Sequence, residues 1–169
     1  RFPNETLVRT ENTVHGNVSV TRLGSQYNFY QSGLLLGADR EALASEYLVH
    51  FPMLAHPSPQ KVLLLGTGFN GPLKQILRHG PQEVSSVELD PGLLRIARGF
   101  LPEDLQAVLG DSRVRLEARD PRDFFRGEKE KFDVIIANFP GSIAAVAGIP
   151  NWRTLLASAL SFTNVTRPS

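Results

Sequence analysis

The sequence contains no cysteine, so neither a disulfide framework nor a thiolate metal site is open to it. It also lacks a long apolar run: stretches such as Val62 to Leu65 and Val134 to Ala137 fall far short of the roughly 18 residues a spanning helix needs. No membrane span is expected. Neither sign of charge dominates, since 18 basic and 17 acidic side chains leave a net +1, and no general field draws the chain to nucleic acid. The opening RFPNETLVRTENT lacks the basic-then-apolar layout of a signal peptide, and with zero cysteine the composition fits the cytoplasm. His15, His50, His56 and His79 are scattered without an HExxH-type spacing, so no metal site is expected. There is no G-x-S-x-G elbow to carry covalent hydrolysis, and Trp152 and the tyrosines are too sparse for a base-stacking platform. Glycosylation-type triplets at Asn4, Asn17 and Asn164 are short enough to arise by chance.

What is present is ordinary globular material: 169 residues, 41% apolar and 21% charged, enough for one core. Residues 6 to 36 read as strands, with NVSVTRL and YNFYQSGLLL broken at Gly24-Ser25 and Ser32-Gly33, a small antiparallel meander. Asp39 can cap a helix over residues 40 to 51, with Leu43, Tyr47, Leu48 and Phe51 at helical spacing and Pro52 as its stop. His56-Pro57-Ser58-Pro59 is a stiff joint, so the expected parts are 1–38, a connecting 39–60, and 61–169.

From Lys61 strand and helix alternate, which predicts a parallel sheet with helices on its faces. The expected strands are Val62 to Leu65, Val84 to Glu88, Arg113 to Ala118 and Phe132 to Ala137. Pro72 and Gly80 bracket one helix, Asp90-Pro91 opens a second through Leu101, and Pro121 to Phe125 makes a short turn. GSIAAVAGIP reads as small, apolar and flexible in composition, and Asn151 can cap a last helix through Leu160.

The sharpest motif is GTGFNG, Gly66 to Gly71, directly after an apolar strand and directly before a helix. Glycines at 66, 68 and 71 permit a tight turn and close approach of backbone N–H groups to a ligand. Glu88 lies 22 residues beyond Gly66 at the end of the second strand, where a carboxylate can accept both hydroxyls of an adenosine ribose. Its structural alternative is a solvated charge beside a helix cap. Asp120 follows the third strand and either accepts from an adenine amino group or caps the next turn. Asn138 ends the fourth strand; its amide can orient a substrate amine but cannot take its proton at neutral pH.

The joint order of HGNVSV, SEYLVHFPMLAHPSPQKVLLLGTGFNG, VSSVELDPGLLRIARGFLP, DSRVRLEARDPRDFF and KFDVIIANFP resembles the polyamine aminopropyltransferases, the spermidine synthase family. It is similar above all to the divergent spermidine-synthase-like domains fused to membrane segments in bacterial proteins. The resemblance covers about residues 13 to 142. It implies an α/β fold: a Rossmann-like, class I methyltransferase-like, mostly parallel sheet preceded by an antiparallel β meander. It implies decarboxylated S-adenosylmethionine as co-substrate, a polyamine or other amine as acceptor, no metal, and a homodimer. By resemblance Gly66, Gly68 and Gly71 are the nucleoside loop, Glu88 the ribose acid, Leu89 the apolar neighbour of adenine, and Asp120 the adenine aspartate.

The reaction half departs from the family pattern. Phe69 stands where an aspartate would hold the aminopropyl amine, and Asn138 and Gly141 replace the D-x-x-D that contains the catalytic aspartate. Ala44-Ser45-Glu46 replaces Tyr-His-Glu, Leu35 or Leu36 falls at a glutamine, and Arg119 and Pro121 replace glycines beside Asp120. A doubly charged diamine without carboxylate partners is costly to bury. The tail after Phe139 lacks the expected Pro-Gly-Gly turn, so the C-terminal part of the fold is expected to be incomplete. Three readings stay open: an aminopropyltransferase-like domain with degenerate acids, a non-catalytic nucleoside-sensing or scaffolding domain, and a methyltransferase using intact S-adenosylmethionine.

Overall fold

The computed structural model describes residues 4–40, 42–127 and 131–139, together with the backbone of 142–147. Four strands, β1 (Thr6–Thr13), β2 (Gly16–Leu23), β3 (Gln26–Gln31) and β4 (Leu34–Ala38), pair in that order as an antiparallel meander. The tight turn after β3 carries positive φ at both Ser32 and Gly33, the backbone twist that a two-residue hairpin favours. Val18, Val20 and Phe29 point to one face of this sheet and are fully buried.

Helix α1 (Ala42–Ala55) follows, and it runs through Pro52 where the sequence predicts a stop. Pro52 sits in the last turn, so its missing N–H forfeits little more than the bond to the Leu48 carbonyl, while Pro52 and Met53 gain burial. The buried side of α1 is Leu48, Val49 and Met53, whereas Leu43, Tyr47 and Phe51 are exposed, with Tyr47 and Phe51 stacked on each other.

The remaining elements are β5 (Lys61–Gly66), α2 (Pro72–Leu77), β6 (Glu83–Glu88), α3 (Pro91–Arg98), α4 (Glu103–Leu109), β7 (Val114–Ala118), α5 (Pro121–Gly127), β8 (Val134–Phe139) and β9 (Ser142–Ala147). The second sheet has the order β7-β6-β5-β8-β9, parallel throughout except for β9, which returns antiparallel to β8. The parallel sheet expected from strand and helix alternation is present, in the Rossmann-like arrangement that the resemblance implies.

Helix α3 stops at Arg98, capped by Gly99, rather than at Leu101, and two further stretches differ from the sequence reading. Helix α4 was not expected, although Pro102 at its start, Glu103 and Asp104 in its first turn and Gly110 after its end are ordinary helix signals. Residues 142–147, expected to be flexible, form β9, because pairing with β8 satisfies backbone groups that an open strand edge would leave unpaired. The helix expected from Asn151 to Leu160 lies outside the described residues.

One core joins the two sheets. Val18, Val20 and Phe29 of the meander meet Val62, Leu64, Phe69, Leu73 and the buried side of α1 in a single cluster. A second cluster, with Leu63, Leu65, Phe124 and Ile135, fills the opposite face of the parallel sheet. Asp133 registers the start of that sheet by accepting from the Gln60 and Lys61 N–H groups at 2.8 and 2.9 Å.

Candidate functional site

The parallel register aligns the carboxyl ends of the strands, pairing Gly66 of β5 with Asn138 of β8 and Glu88 of β6 with Ala118 of β7. Neighbouring strands lie about 4.8 Å apart, so the loop after Gly66, the Glu88 carboxyl, the segment to Asp120 and Asn138 share one sheet edge. Open α/β sheets collect ligands at this edge.

The glycine loop is shaped by the protein's own close contacts. Gly66 has φ +82°, and a Cβ there would lie 2.3 Å from the Asn138 carbonyl oxygen. A Cβ on Gly68 would meet Leu64 Cδ2 at 2.5 Å, and one on Gly71, at φ +150°, would meet Ser45 Oγ at 2.4 Å. The loop also uses part of the helix start itself, since the Leu73 N–H donates to the Gly68 carbonyl at 3.2 Å. Asn138 grips the same loop twice: its carbonyl accepts from the Thr67 N–H at 3.0 Å, and its Nδ2 donates to the Thr67 carbonyl at 2.6 Å.

Phe69 faces inward. It is 2% exposed and meets Phe29 edge-on, with ring centroids 5.2 Å apart at 84°. The next residue, Asn70, is also buried, and its Oδ1 has no hydrogen-bond partner.

Glu88 is the most unusual group at the edge. Its Oε1 accepts from the Asp90 N–H at 3.1 Å, while Oε2 is buried with no partner. Burial pushes the carboxyl up to about 7; backbone N–H groups of Asp90 and Leu89 pull it back, and the Asp90 charge adds to the rise. The alternative of a solvated surface charge is thereby removed. Leu89 beside it is partly exposed.

Asp120 is engaged on its own segment. Its carboxylate receives Arg122 Nε at 3.0 Å and Nη2 at 2.6 Å, and its Oδ1 accepts from the Arg122 N–H at 2.7 Å. The Arg122 contact holds the Asp120 carboxyl below its usual range. Arg119, in place of a family glycine, lies 4.6 Å over the Phe124 ring.

Sequence reasoning left several groups aside. The histidines are not all scattered, because α1 and the end of α2 bring His50 Nδ1 within 2.7 Å of His79 Nε2. Asp90 does cap α3, but it also reaches the meander through Thr13 and Gln31, a contact no local spacing signals. Among the described residues no three His, Asp or Glu side chains gather as a metal site. Among the same residues no helix is long and apolar enough to cross a membrane.

Comparison with known proteins places this geometry. Residues 41–145 match the Spermine/spermidine synthase domain. A spermidine synthase of Dictyostelium discoideum is 33% identical over 119 residues, covering 69% of this chain and 42% of its own length. A polyamine aminopropyltransferase of Archaeoglobus fulgidus is 37% identical over 98 residues, covering 58% of this chain and 36% of its own length. The chain therefore spans less than half the length of these relatives. Among solved structures, a spermidine synthase in complex with the transition-state analogue AdoDATO superposes with a TM-score of 0.73 at 24% identity. It covers 80% of this chain and 47% of the other. The spermidine synthase of Thermotoga maritima gives 0.72 at 25% identity, covering 79% of this chain and 48% of the other. With residues 41–145, more than half of this chain, matched to that domain, the chain belongs to the spermine/spermidine synthase family.

Proposed function

We propose that the chain is a spermidine-synthase-like domain that binds decarboxylated S-adenosylmethionine or its product methylthioadenosine, with a degenerate reaction half. The observation that carries this reading is Glu88, a buried carboxylate at the edge where sheets of this kind take ligands, with one oxygen unpartnered. A pair of ribose hydroxyls would supply the donors that oxygen lacks. Leu89 would lie against the adenine, and Asp120 would accept from its amino group by giving up part of its Arg122 contact. That a protein of the same fold holds AdoDATO supports this placement.

In the catalytic version an amine attacks the methylene beside the sulfonium, forming a C–N bond as the C–S bond breaks and methylthioadenosine leaves. Positioning would supply most of the rate, and water would take the amine proton. Two observations favour the non-catalytic, nucleoside-sensing version instead. Phe69 offers an aromatic ring already packed on Phe29 where a cation would need a carboxylate, and the Asn138 amide is committed to the Thr67 carbonyl. The methyltransferase reading shares Glu88 and the glycine loop, and competition between the two nucleosides separates it. A cytoplasmic placement and a homodimer through the meander belong to this proposal, the latter tested by mass in solution. The deciding assay incubates the protein with decarboxylated S-adenosylmethionine and several diamines, then looks for methylthioadenosine by mass spectrometry. Binding without product supports the sensing version, and product formation supports the transferase.

A further inference from the structure

Asp90 has more partners than a helix cap needs. Its Oδ1 accepts from the Gly92 and Leu93 N–H groups at 2.9 and 3.3 Å, which caps α3. Its Oδ2 accepts from the Thr13 hydroxyl at 2.5 Å and from Gln31 Nε2 at 2.9 Å. Thr13 ends β1 and Gln31 ends β3, so the tips of two of the meander's three hairpins, β1–β2 and β3–β4, finish on one carboxylate oxygen. Asp90 is 1% exposed, and these four donors are all neutral, so hydrogen bonds hold a buried charge. The approach is close, since a Cβ on Gly92 would stand 2.5 Å from Thr13 Cγ2. On the exposed side of the same joint, Arg95 of α3 pairs with Glu11 of β1. Finally, the Asp90 N–H donates to Glu88 Oε1, the arrangement that leaves Oε2 unpartnered.

We propose that Asp90 is a positioning residue that couples docking of the meander tips, through Thr13 and Gln31, to the setting of the Glu88 carboxyl. With the tips docked, four donors spread the Asp90 charge, and a second negative charge on Glu88 is tolerable beside it. With the tips released, Asp90 Oδ2 loses both of its side-chain donors, and its less screened charge disfavours the ionised Glu88 carboxyl. A nucleoside that requires ionised Glu88 therefore favours the docked meander, and the docked meander favours the nucleoside by the same factor. The binding half of this inference rests on the nucleoside reading of Glu88; the coupling of the two acids does not.

The test uses the whole chain as wild type, Thr13→Val, Thr13→Ser and Gln31→Leu. Calorimetric titration with methylthioadenosine is paired with a ¹³C carboxyl NMR titration of Glu88 in ligand-free protein. Thr13→Val and Gln31→Leu should each weaken binding about tenfold or more, the scale of one charge-assisted hydrogen bond, while Thr13→Ser keeps it within about twofold. The Glu88 carboxyl titration should move to higher pH in the Val and Leu variants and stay in place in the Ser variant. A purely structural contact would lower the melting temperature but leave that titration unmoved. Folded Thr13→Val with wild-type titration and affinity overturns the proposal. If Thr13→Val does not fold, Gln31→Leu makes the same comparison. If wild type binds no methylthioadenosine, the nucleoside reading fails, and the titration alone decides the coupling.

Discussion

Glu88 carries an energetic signature that can be measured without any ligand. Its carboxyl is raised from the ordinary 4.5 to about 7 in the folded protein. A group raised on folding contributes stability in full below its unfolded value, and that contribution is lost as pH rises through the folded value. The ligand-free protein should therefore lose stability between about pH 4.5 and 7, on the order of 3 kcal/mol for a shift of this size. Glu88→Gln should melt like wild type at pH 5 and several degrees higher at pH 8; equal melting temperatures at pH 8 would contradict the burial argument. Ribose hydroxyls donate to the ionised form, so nucleoside affinity should rise from pH 6 to 8 in wild type and stay flat in the Gln variant. At this scale the sequence was partly legible. The place of Glu88 at the end of its strand is readable from its distance to the glycine loop, whereas its burial with Oε2 unpartnered emerges only in the folded chain. For Asp120 the sequence left two roles equal, and the structure engages it with the backbone and guanidinium of Arg122.

The elements that hold the site make their own predictions. Helices α1 and α2 meet through His50 and His79, with Glu46 and Arg78 3.9 Å apart at the same interface. Burial first, then the neighbouring charges of His50 and Arg78, lowers the His79 pKa from its ordinary 6.5. A base lowered on folding contributes stability above its unfolded value and loses it as pH falls through the folded one. Stability should drop as pH falls below about 6.5, and His79→Gln should flatten that part of a denaturant-midpoint profile. An unchanged profile would show the pair to be energetically idle. Gly66→Ala faces both a positive φ and a carbonyl 2.3 Å away, so it should cost about 2 to 4 kcal/mol in urea unfolding. Most elements were readable because hydrophobic period and turn residues are local signals. Helix α4 is signalled only by Pro102 at its start and Gly110 at its end around a seven-residue stretch, and β9 depends on the open edge of β8, which belongs to another segment. Pro52 misled because its local cost is outweighed by burial that only the assembled core provides.

At the scale of the molecule, the meander and the parallel sheet are one core, and Phe69 is the point where the glycine loop enters it. Family resemblance alone suggests that restoring an aspartate at 69 would restore an amine site. The Phe29 contact argues the opposite: Phe69→Asp buries a carboxylate against an aromatic ring. Its melting temperature should fall by roughly 10 °C, corresponding to about 3 to 5 kcal/mol. A stable Phe69→Asp protein that gains diamine binding would contradict this view of the loop. The fold class, the meander and the places of the strand-end acids are visible in the sequence because apolar alternation, turn residues and motif spacing are local signals. The shared core and the Asp90 joint were not, because Phe29 and Phe69, like Thr13 and Asp90, are distant in sequence and meet only after folding. The central claim is that this edge is a nucleoside pocket built on Glu88. Calorimetric titration of wild type and Glu88→Ala with methylthioadenosine tests it most directly. Saturable binding to wild type that weakens at least tenfold in folded Glu88→Ala is the predicted result; no binding to folded wild type, or equal binding to both, would contradict it.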